Sequence, residues 1–249
     1  MTHSTARIAL RVVPDWLPHG LVVAPPTLLA CRALPHPDPR QVAALAGERF
    51  VAGRHLAVGL VTADQDDATY AALDHATKFA DVDVVYAKSF YAGAAHASGP
   101  LSGEILGVLA GPTPDDVEEG LAAFRSYLSE RAHFYSVAGP GPQPALFPHV
   151  IAETGRYLSA QAGVAPGTPL AYLIAPPLES VVAIDAALKA ADVTLCQHFG
   201  PPTETNCGGA WLTGTLPAVQ AAAAAFAAAV VDVGHSPLAA ARRLQRERS

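Results

Sequence analysis

The chain has 249 residues, enough to bury a sizeable core without disulfides. Hydrophobic residues make up 51% and charged residues only 15%, which argues against a disordered chain and indicates a surface partly covered by another subunit. With 16 Lys and Arg against 22 Asp and Glu, the net charge of −6 excludes a nucleic-acid binder that relies on phosphate contacts.

Targeting and redox signals favour a cytoplasmic protein. No signal peptide is recognised at the start of the sequence, and the longest apolar run, 216–233, is dominated by alanine and interrupted by Pro217 and Asp232. We interpret this run as a buried helix of a soluble protein rather than a membrane span. Cys31, Cys196 and Cys207 give an odd count without paired spacing, as expected in a reducing compartment.

In chain order, the first half of the sequence predicts a helix at 38–50 capped by Asp38, and a strand at 55–63. A helix beginning near Asp66 or Asp67 follows, then strands at 82–90 and 104–111 around a small-residue loop, and a helix after Thr113. The second half predicts the same kinds of element: a helix at about 148–162, strands at 169–175, 193–199 and 210–214, and helices over 181–191 and 216–233.

An internal repeat explains this agreement. Residues 72–82 and 183–193 are identical at seven of eleven positions, 111 residues apart. The order of elements predicts an α/β (α+β) fold present twice, each copy a small antiparallel sheet with helices packed on it. The expected divisions are 1–134, 135–240 and a flexible basic tail at 241–249, with the proline-rich stretch 139–144 as linker.

Enzyme and metal motifs are absent, and acidic residues are the more informative candidates. Cys196, His198 and Cys207 match no common zinc spacing, so neither a metal nor a cofactor is predicted. Asp66 and Asp67 lie at a strand-to-helix turn, and Glu104 begins a strand. Either one of the aspartates caps the helix and Glu104 faces solvent at a strand edge, or the three carboxylates converge to bind a cation.

Several long strings resemble the bacterial microcompartment shell domain, and most closely the L-type tandem shell proteins of ethanolamine-utilisation compartments. They include TADQDDATY at 62–70, ATKFADVDVVYAKSFYAGAAHASGP at 76–100, LAYLIAPPLES at 170–180 and PPTETN at 201–206. The resemblance covers about residues 55 to 237. It implies two circularly permuted shell domains, a homotrimer shaped like a hexagon, and tiling with other shell proteins.

The resemblance also implies three sets of functional residues. A small pore in each subunit would hold ethanolamine against Asp66, Asp67, Glu104 and Phe134, and Lys78 and Lys189 would lie at the edge of the tile. The loops that open or close a central pore would contain Tyr91, Gly93, Ala94, Ala95, His96, Pro202, Thr203, Glu204, Thr205 and Asn206.

The leading interpretation is therefore a structural shell protein, without enzymatic activity, in the shell of a cytoplasmic microcompartment. Two alternatives stay open at this point. One is a soluble carrier of small amines without a shell role. The other is an enzyme that uses Asp66, Asp67 and Glu104 as acid–base groups.

Overall fold

A computed structural model describes residues 13–90, 103–139 and 144–238. Within these ranges the chain forms ten strands and six α-helices. The strands are β1 (Leu21–Ala24), β2 (Leu28–Leu34), β3 (Ala57–Ala63), β4 (Asp83–Ser89), β5 (Ile105–Gly111), β6 (Phe134–Val137), β7 (Ala145–Ile151), β8 (Leu170–Ala175), β9 (Thr194–Phe199) and β10 (Gly208–Thr213). The helices are α1 (Pro39–Ala46), α2 (Asp66–Phe79), α3 (Pro114–Glu130), α4 (Arg156–Ala162), α5 (Pro177–Ala190) and α6 (Leu216–His235).

The strands form two antiparallel sheets, as the repeat predicts. The first sheet has the order β2-β3-β5-β4, and the second has the order β1-β6-β7-β8-β10-β9. The run β7-β8-β10-β9 repeats the topology of the whole first sheet. Strand β1 precedes the first repeat in the chain, yet it pairs with β6 and extends the second sheet.

Each sheet carries its two long helices on one face. Helices α2 and α3 pack on the first sheet, and their buried side chains include Leu73, Leu121 and Phe124. Helices α5 and α6 pack on the second sheet through residues such as Ile184 and Phe226. Helix α6 is long and apolar enough to cross a membrane by composition, but Val219, Phe226 and Val230 on one side are wholly buried in this core.

Local sequence explains most helix boundaries. Helices α3 and α6 begin after Thr113 and Thr215, whose hydroxyls accept the N–H groups of Asp116 and Ala218, and a proline follows within the first turn. Helix α1 begins after Asp38, whose carboxylate accepts the N–H of Arg40.

The helix predicted at 148–162 is wrong in its first half. Residues Ala145–Ile151 form β7, and the helix spans only Arg156–Ala162 before it ends at Gly163 with a φ of 69°. Leu146 and Phe147 pack into cores on either side of the sheet, as neighbours along a strand do, and Pro148 starts no helix because it lies opposite Leu173 within the ladder.

The two halves meet where α2 packs against α4. The buried carboxylate of Asp74 on α2 accepts hydrogen bonds from the backbone N–H groups of Gly155, at 2.6 Å, and Leu158, at 2.8 Å. Arg156 adds a backbone N–H bond to the Thr77 hydroxyl at 2.9 Å. Side chains of the first half thus satisfy the start of a helix that belongs to the second.

Candidate functional site

The acidic pair lies where β3 passes into α2. Gln65 occupies the N-cap position of this helix without a side-chain hydrogen bond to it. Asp66 and Asp67 lie in the first turn, so the prediction that one of them is the cap is wrong. The nearby Asp64 has a separate partner, because its carboxylate accepts the N–H of Thr27 at 2.6 Å. Asp66 and Asp67 are 7% and 6% exposed, so both carboxylates are withdrawn from bulk water.

Both carboxylates line a cavity of about 230 Å³ at the junction of the two halves. Its floor and walls come from α2, β4, α4, β8, β9, β10, the segment after β9, and Arg49 in the turn after α1. Aromatic side chains dominate its lining, namely Tyr70, Tyr157, Tyr172, Phe199 and Trp211. The cavity therefore combines buried negative charge with aromatic surface, a pairing that suits a small organic cation.

Neutral donors hold the two carboxylates in place. The Ser89 hydroxyl donates to Asp66 at 2.7 Å, and the backbone N–H of Asp67 donates to the same side chain at 2.8 Å. The Tyr172 hydroxyl donates to Asp67 at 2.5 Å. Within the described part of the chain no Lys or Arg forms an ion pair with either acid. The guanidinium of Arg49 lines the same cavity, but it lies over the Tyr157 ring at 5.7 Å.

Burial and mutual repulsion shift the pKa values of these acids upward. Burial raises the pKa of Asp66 against the opposing effect of the Ser89 hydrogen bond. Burial, followed by the charge of Asp66, raises the pKa of Asp67 well above its usual range. Both shifts disfavour the ionised carboxylates, and a bound cation would favour them.

Glu104 joins this cluster electrostatically rather than as part of the cavity wall. It precedes β5 and is half-buried. Burial first, and then the charges of Asp66 and Asp64, raise its pKa to about 7. The structure thus brings together three of the four residues predicted for the small pore.

Phe134 is the exception among these four residues. It is the first residue of β6 and stacks on Phe147 with ring centroids 4.9 Å apart. Phe147 in turn meets the edge of Tyr172 at 5.4 Å. Phe134 is therefore two aromatic rings away from Asp67, and it does not line the cavity.

Of the two loops predicted for a central pore, the structure describes one. Tyr91, Gly93, Ala94, Ala95 and His96 lie outside the described residues. In the second loop, Thr203, Glu204 and Thr205 line the same cavity as the acidic pair, whereas Pro202 and Asn206 do not. The loop is a tight turn in which the N–H of Thr203 donates to the carbonyl of Cys207 at 2.9 Å.

The two lysines predicted at a tile edge differ in their surroundings. Lys78 donates to the backbone carbonyl of Glu153 at 2.8 Å, across the junction of the halves. Lys189 is 73% exposed and pairs with Asp185 at 2.6 Å on the same helix. Both lysines are exposed in the single chain, but only Lys78 also binds a backbone carbonyl of the other half.

Residues that sequence reasoning missed complete the site, above all Tyr172 and Ser89. Tyr172 lies in LAYLIA, an otherwise aliphatic buried strand, and a lone tyrosine there needs a partner for its hydroxyl. The sequence therefore indicates that Tyr172 has a hydrogen-bond partner, but it does not identify this partner as Asp67, which is 105 residues away. Across the described ranges, no group of three His, Cys, Asp or Glu side chains could hold a metal ion.

Comparison with known proteins gives consistent matches. The bacterial microcompartment (BMC) domain model matches residues 57–138. The microcompartment shell protein EutL of Clostridium perfringens is 53% identical over 184 residues, which is 74% of this chain and 84% of that protein. The crystal structure of EutL from Leptotrichia buccalis superposes with a TM-score of 0.82 at 48% identity, covering 87% of this chain and 98% of that one. A trimeric shell protein, PduB, shares the fold at 18% identity with a TM-score of 0.67, covering 84% of this chain and 89% of that one.

Proposed function

The chain belongs to the EutL family of bacterial microcompartment shell proteins, and we propose that it forms a trimeric tile whose subunits each bind and pass a small amine. As a member of that family it is a structural protein of the microcompartment shell in the cytoplasm. The trimer, the gated central pore and the amine site are the parts that we propose.

The amine site rests on one observation, the pair of buried carboxylates in an aromatic cavity. Burying Asp66 and Asp67 costs free energy that neutral donors recover only in part. A ligand ammonium group would balance that charge through charge-assisted hydrogen bonds, and a ring such as Tyr70 would add roughly 0.5–2 kcal/mol of cation–π attraction. Ethanolamine is small enough to enter and still leave room for water.

Weak binding is the expected behaviour of a conducting site. A metabolite that crosses a shell must leave as readily as it enters, so its affinity is kept low. Desolvation of the ammonium group and of both acids opposes binding as well. We therefore expect a dissociation constant of about 1 mM or weaker, at most about 4 kcal/mol of binding free energy.

The trimer accounts for apolar surface that a single chain leaves exposed. Leu178, Val181 and Val182 on α5 are 63%, 53% and 44% exposed. Two repeated halves per chain give six similar domains in a ring of three, which is the symmetry of a hexagonal tile. The loop with Thr203 and Thr205 and its counterpart after β4 would meet at the axis of this ring and gate its pore.

Titration calorimetry with ethanolamine tests the amine site. The variant Glu104→Gln keeps the shape and removes a charge that Asp66 senses, so we expect weaker binding, while Glu118→Gln on the exposed side of α3 should bind like the parent. Affinity should fall as pH decreases through about 7, because Glu104 then gains a proton. Failure of the parent to bind at up to about 50 mM would refute the amine site.

Light scattering and electron microscopy test the tile. Three chains of 25.7 kDa should give a particle of 77.1 kDa. Concentrated protein should form flat sheets or tubes in negative stain. Monodisperse particles that bind ethanolamine but never assemble would favour the soluble amine carrier instead.

A further inference from the structure

We propose that Arg49 makes the cavity a dipolar site, whose preferred ligands carry an ammonium group at one end and an anionic group at the other, as a short amino acid does. The inference rests on the amine site proposed above and deepens it by naming the class of amine that the site selects. It assigns a role to a guanidinium group that lines the same cavity as the acidic pair.

The cavity has one cationic side chain. Among the described residues that line it, Arg49 is the one Lys or Arg. Gly47, with a φ of 57°, ends α1 and begins the short turn Gly47–Arg49 that delivers this side chain. The guanidinium carbon lies 5.7 Å from the ring centroid of Tyr157 on α4, so a cation–π contact holds it across the junction of the halves.

This guanidinium has no carboxylate partner within the ranges that the structure describes. Arg54, five residues further on, pairs with Asp81 at 2.6 Å and with Asp83 at 2.7 Å. Arg156 lies 3.8 Å from Asp83. Arg49 forms no such ion pair, although three carboxylates line the same cavity. Its positive charge is therefore available to a ligand.

Burial separates the two charged ends of the cavity. At the inner end Asp66 and Asp67 are 7% and 6% exposed. At the outer end the lining residues Arg49, Gln161 and Glu204 are exposed. The outer end thus offers a guanidinium and an amide as donors, and the charge of Glu204 opposes that of Arg49 without pairing with it.

A ligand with opposite charges at its two ends complements this arrangement. Its ammonium group would bind the buried carboxylates through charge-assisted hydrogen bonds. Its anionic group would accept hydrogen bonds from the guanidinium of Arg49, whose planar fork matches carboxylate and phosphate geometry, and from the amide of Gln161. A diamine would instead bring its second ammonium group against Arg49, and this repulsion would disfavour it.

The selectivity should be modest, because Arg49 is exposed to solvent. We expect about three- to tenfold differences in affinity between ligands that differ only in the charge of the outer group, where tenfold corresponds to about 1.4 kcal/mol. Added salt should reduce these differences, since the Debye length falls from about 10 Å at 0.1 M to about 3 Å at 1 M. The cavity of about 230 Å³ limits the ligand to a small molecule.

Calorimetry with a matched series of amines tests the selectivity. β-Alanine, 3-amino-1-propanol and 1,3-diaminopropane share an ammonium group on a chain of equal length, and near neutral pH they end in an anionic, a neutral and a cationic group. The parent should bind them in this order of decreasing affinity. Arg49→Gln should abolish the order, whereas Arg49→Lys retains the charge and should preserve it.

Two further variants serve as controls. Arg125→Gln removes a positive charge from the exposed side of α3, outside the cavity lining, and should leave the order of affinities unchanged. Glu204→Gln removes the charge that opposes Arg49 and should widen the differences between the ligands. Circular dichroism should show the same secondary structure in all variants.

The outcomes separate this inference from the amine site itself. A parent that binds neither ethanolamine nor any amine of the series would refute the amine site. A parent that binds ethanolamine but does not prefer β-alanine to 1,3-diaminopropane would refute only the role of Arg49, and so would an order that persists in Arg49→Gln. An equal loss for every ligand in Arg49→Gln would also refute it, because such a loss indicates that Arg49 only packs on Tyr157.

Discussion

The variant Asp74→Ala should destabilise the folded chain substantially, although Asp74 is distant in sequence from the helix that it holds. Its carboxylate is 0% exposed and accepts the N–H groups of Gly155 and Leu158. Gly155 is the N-cap residue of α4 and Leu158 lies in its first turn, where no helical carbonyl can accept either N–H. Removing the carboxylate leaves both groups buried without an acceptor.

The expected loss follows from the number of unsatisfied groups. A buried donor left without a partner costs about 1–3 kcal/mol, so two of them predict a loss of about 2–6 kcal/mol. For a chain of this length each kcal/mol lowers the melting temperature by about 2–4 °C, which gives a decrease of roughly 4–24 °C. Asp74→Asn retains one acceptor oxygen and should lie between Asp74→Ala and the parent.

Thermal and urea unfolding monitored by circular dichroism would measure these losses. The repeat supplies the control, since Asp185 is the counterpart of Asp74 and its side chain is 62% exposed. Asp185→Ala should change stability by less than about 0.5 kcal/mol. Equal losses in Asp74→Ala and Asp185→Ala would show that the buried carboxylate does not hold the two halves together.

Three further predictions concern the acids and the tile edge. Tyr172→Phe should lower the free energy of unfolding by about 1–3 kcal/mol, measured by urea titration, because Asp67 loses its donor. Glu104→Gln should be more stable than the parent at pH 8 and equally stable near pH 4. The reason is that the pKa of Glu104 is raised from 4.5 to about 7, so the parent loses stability as pH rises through that range. Parallel stability profiles of the two proteins against pH would contradict this. Lys189→Asp should leave the trimer intact and prevent sheet formation in negative stain, and sheets like those of the parent would exclude it from the tile edge. Lys78→Asp is a less clean test, because its bond to the Glu153 carbonyl also joins the two halves.

Local patterns were sufficient to predict the repeated elements. The signals for α2 and α3 are local: the spacing of their apolar residues, and Thr113 with Pro114 at the start of α3. The structure confirms both helices. The segment 148–162 misled prediction because Pro148 resembles a helix start, whereas pairing with β8 makes it part of a strand. That pairing depends on residues more than twenty positions away.

The acidic residues of the candidate site were predictable from the sequence, but the residues that form hydrogen bonds with them were not. Asp66 and Asp67 stand out because two acids begin one helix, and their burial then follows from packing against the second half. The bond from Tyr172 to Asp67 joins residues 105 positions apart and has no local signal. The pairing of β1 with β6 is of the same kind, since a strand from the start of the chain completes the distant sheet.

Divergence between the two halves would make the two kinds of junction in the proposed ring differ in function. Where α2 begins with Asp66 and Asp67, α5 begins with Pro177 and Leu178, so the acidic pair is present in only one copy of the repeat. A buried acidic pair destabilises the junction around it unless a ligand balances its charge. A junction inside one chain tolerates this loss, because its two sides stay covalently joined. A junction between chains must supply the free energy of association as well. In the proposed ring the junctions inside chains would therefore carry amine sites, and the junctions between chains would carry apolar contacts through α5. Saturating calorimetry should then return one ethanolamine per chain, three per trimer, and a value near two per chain would contradict this division of roles.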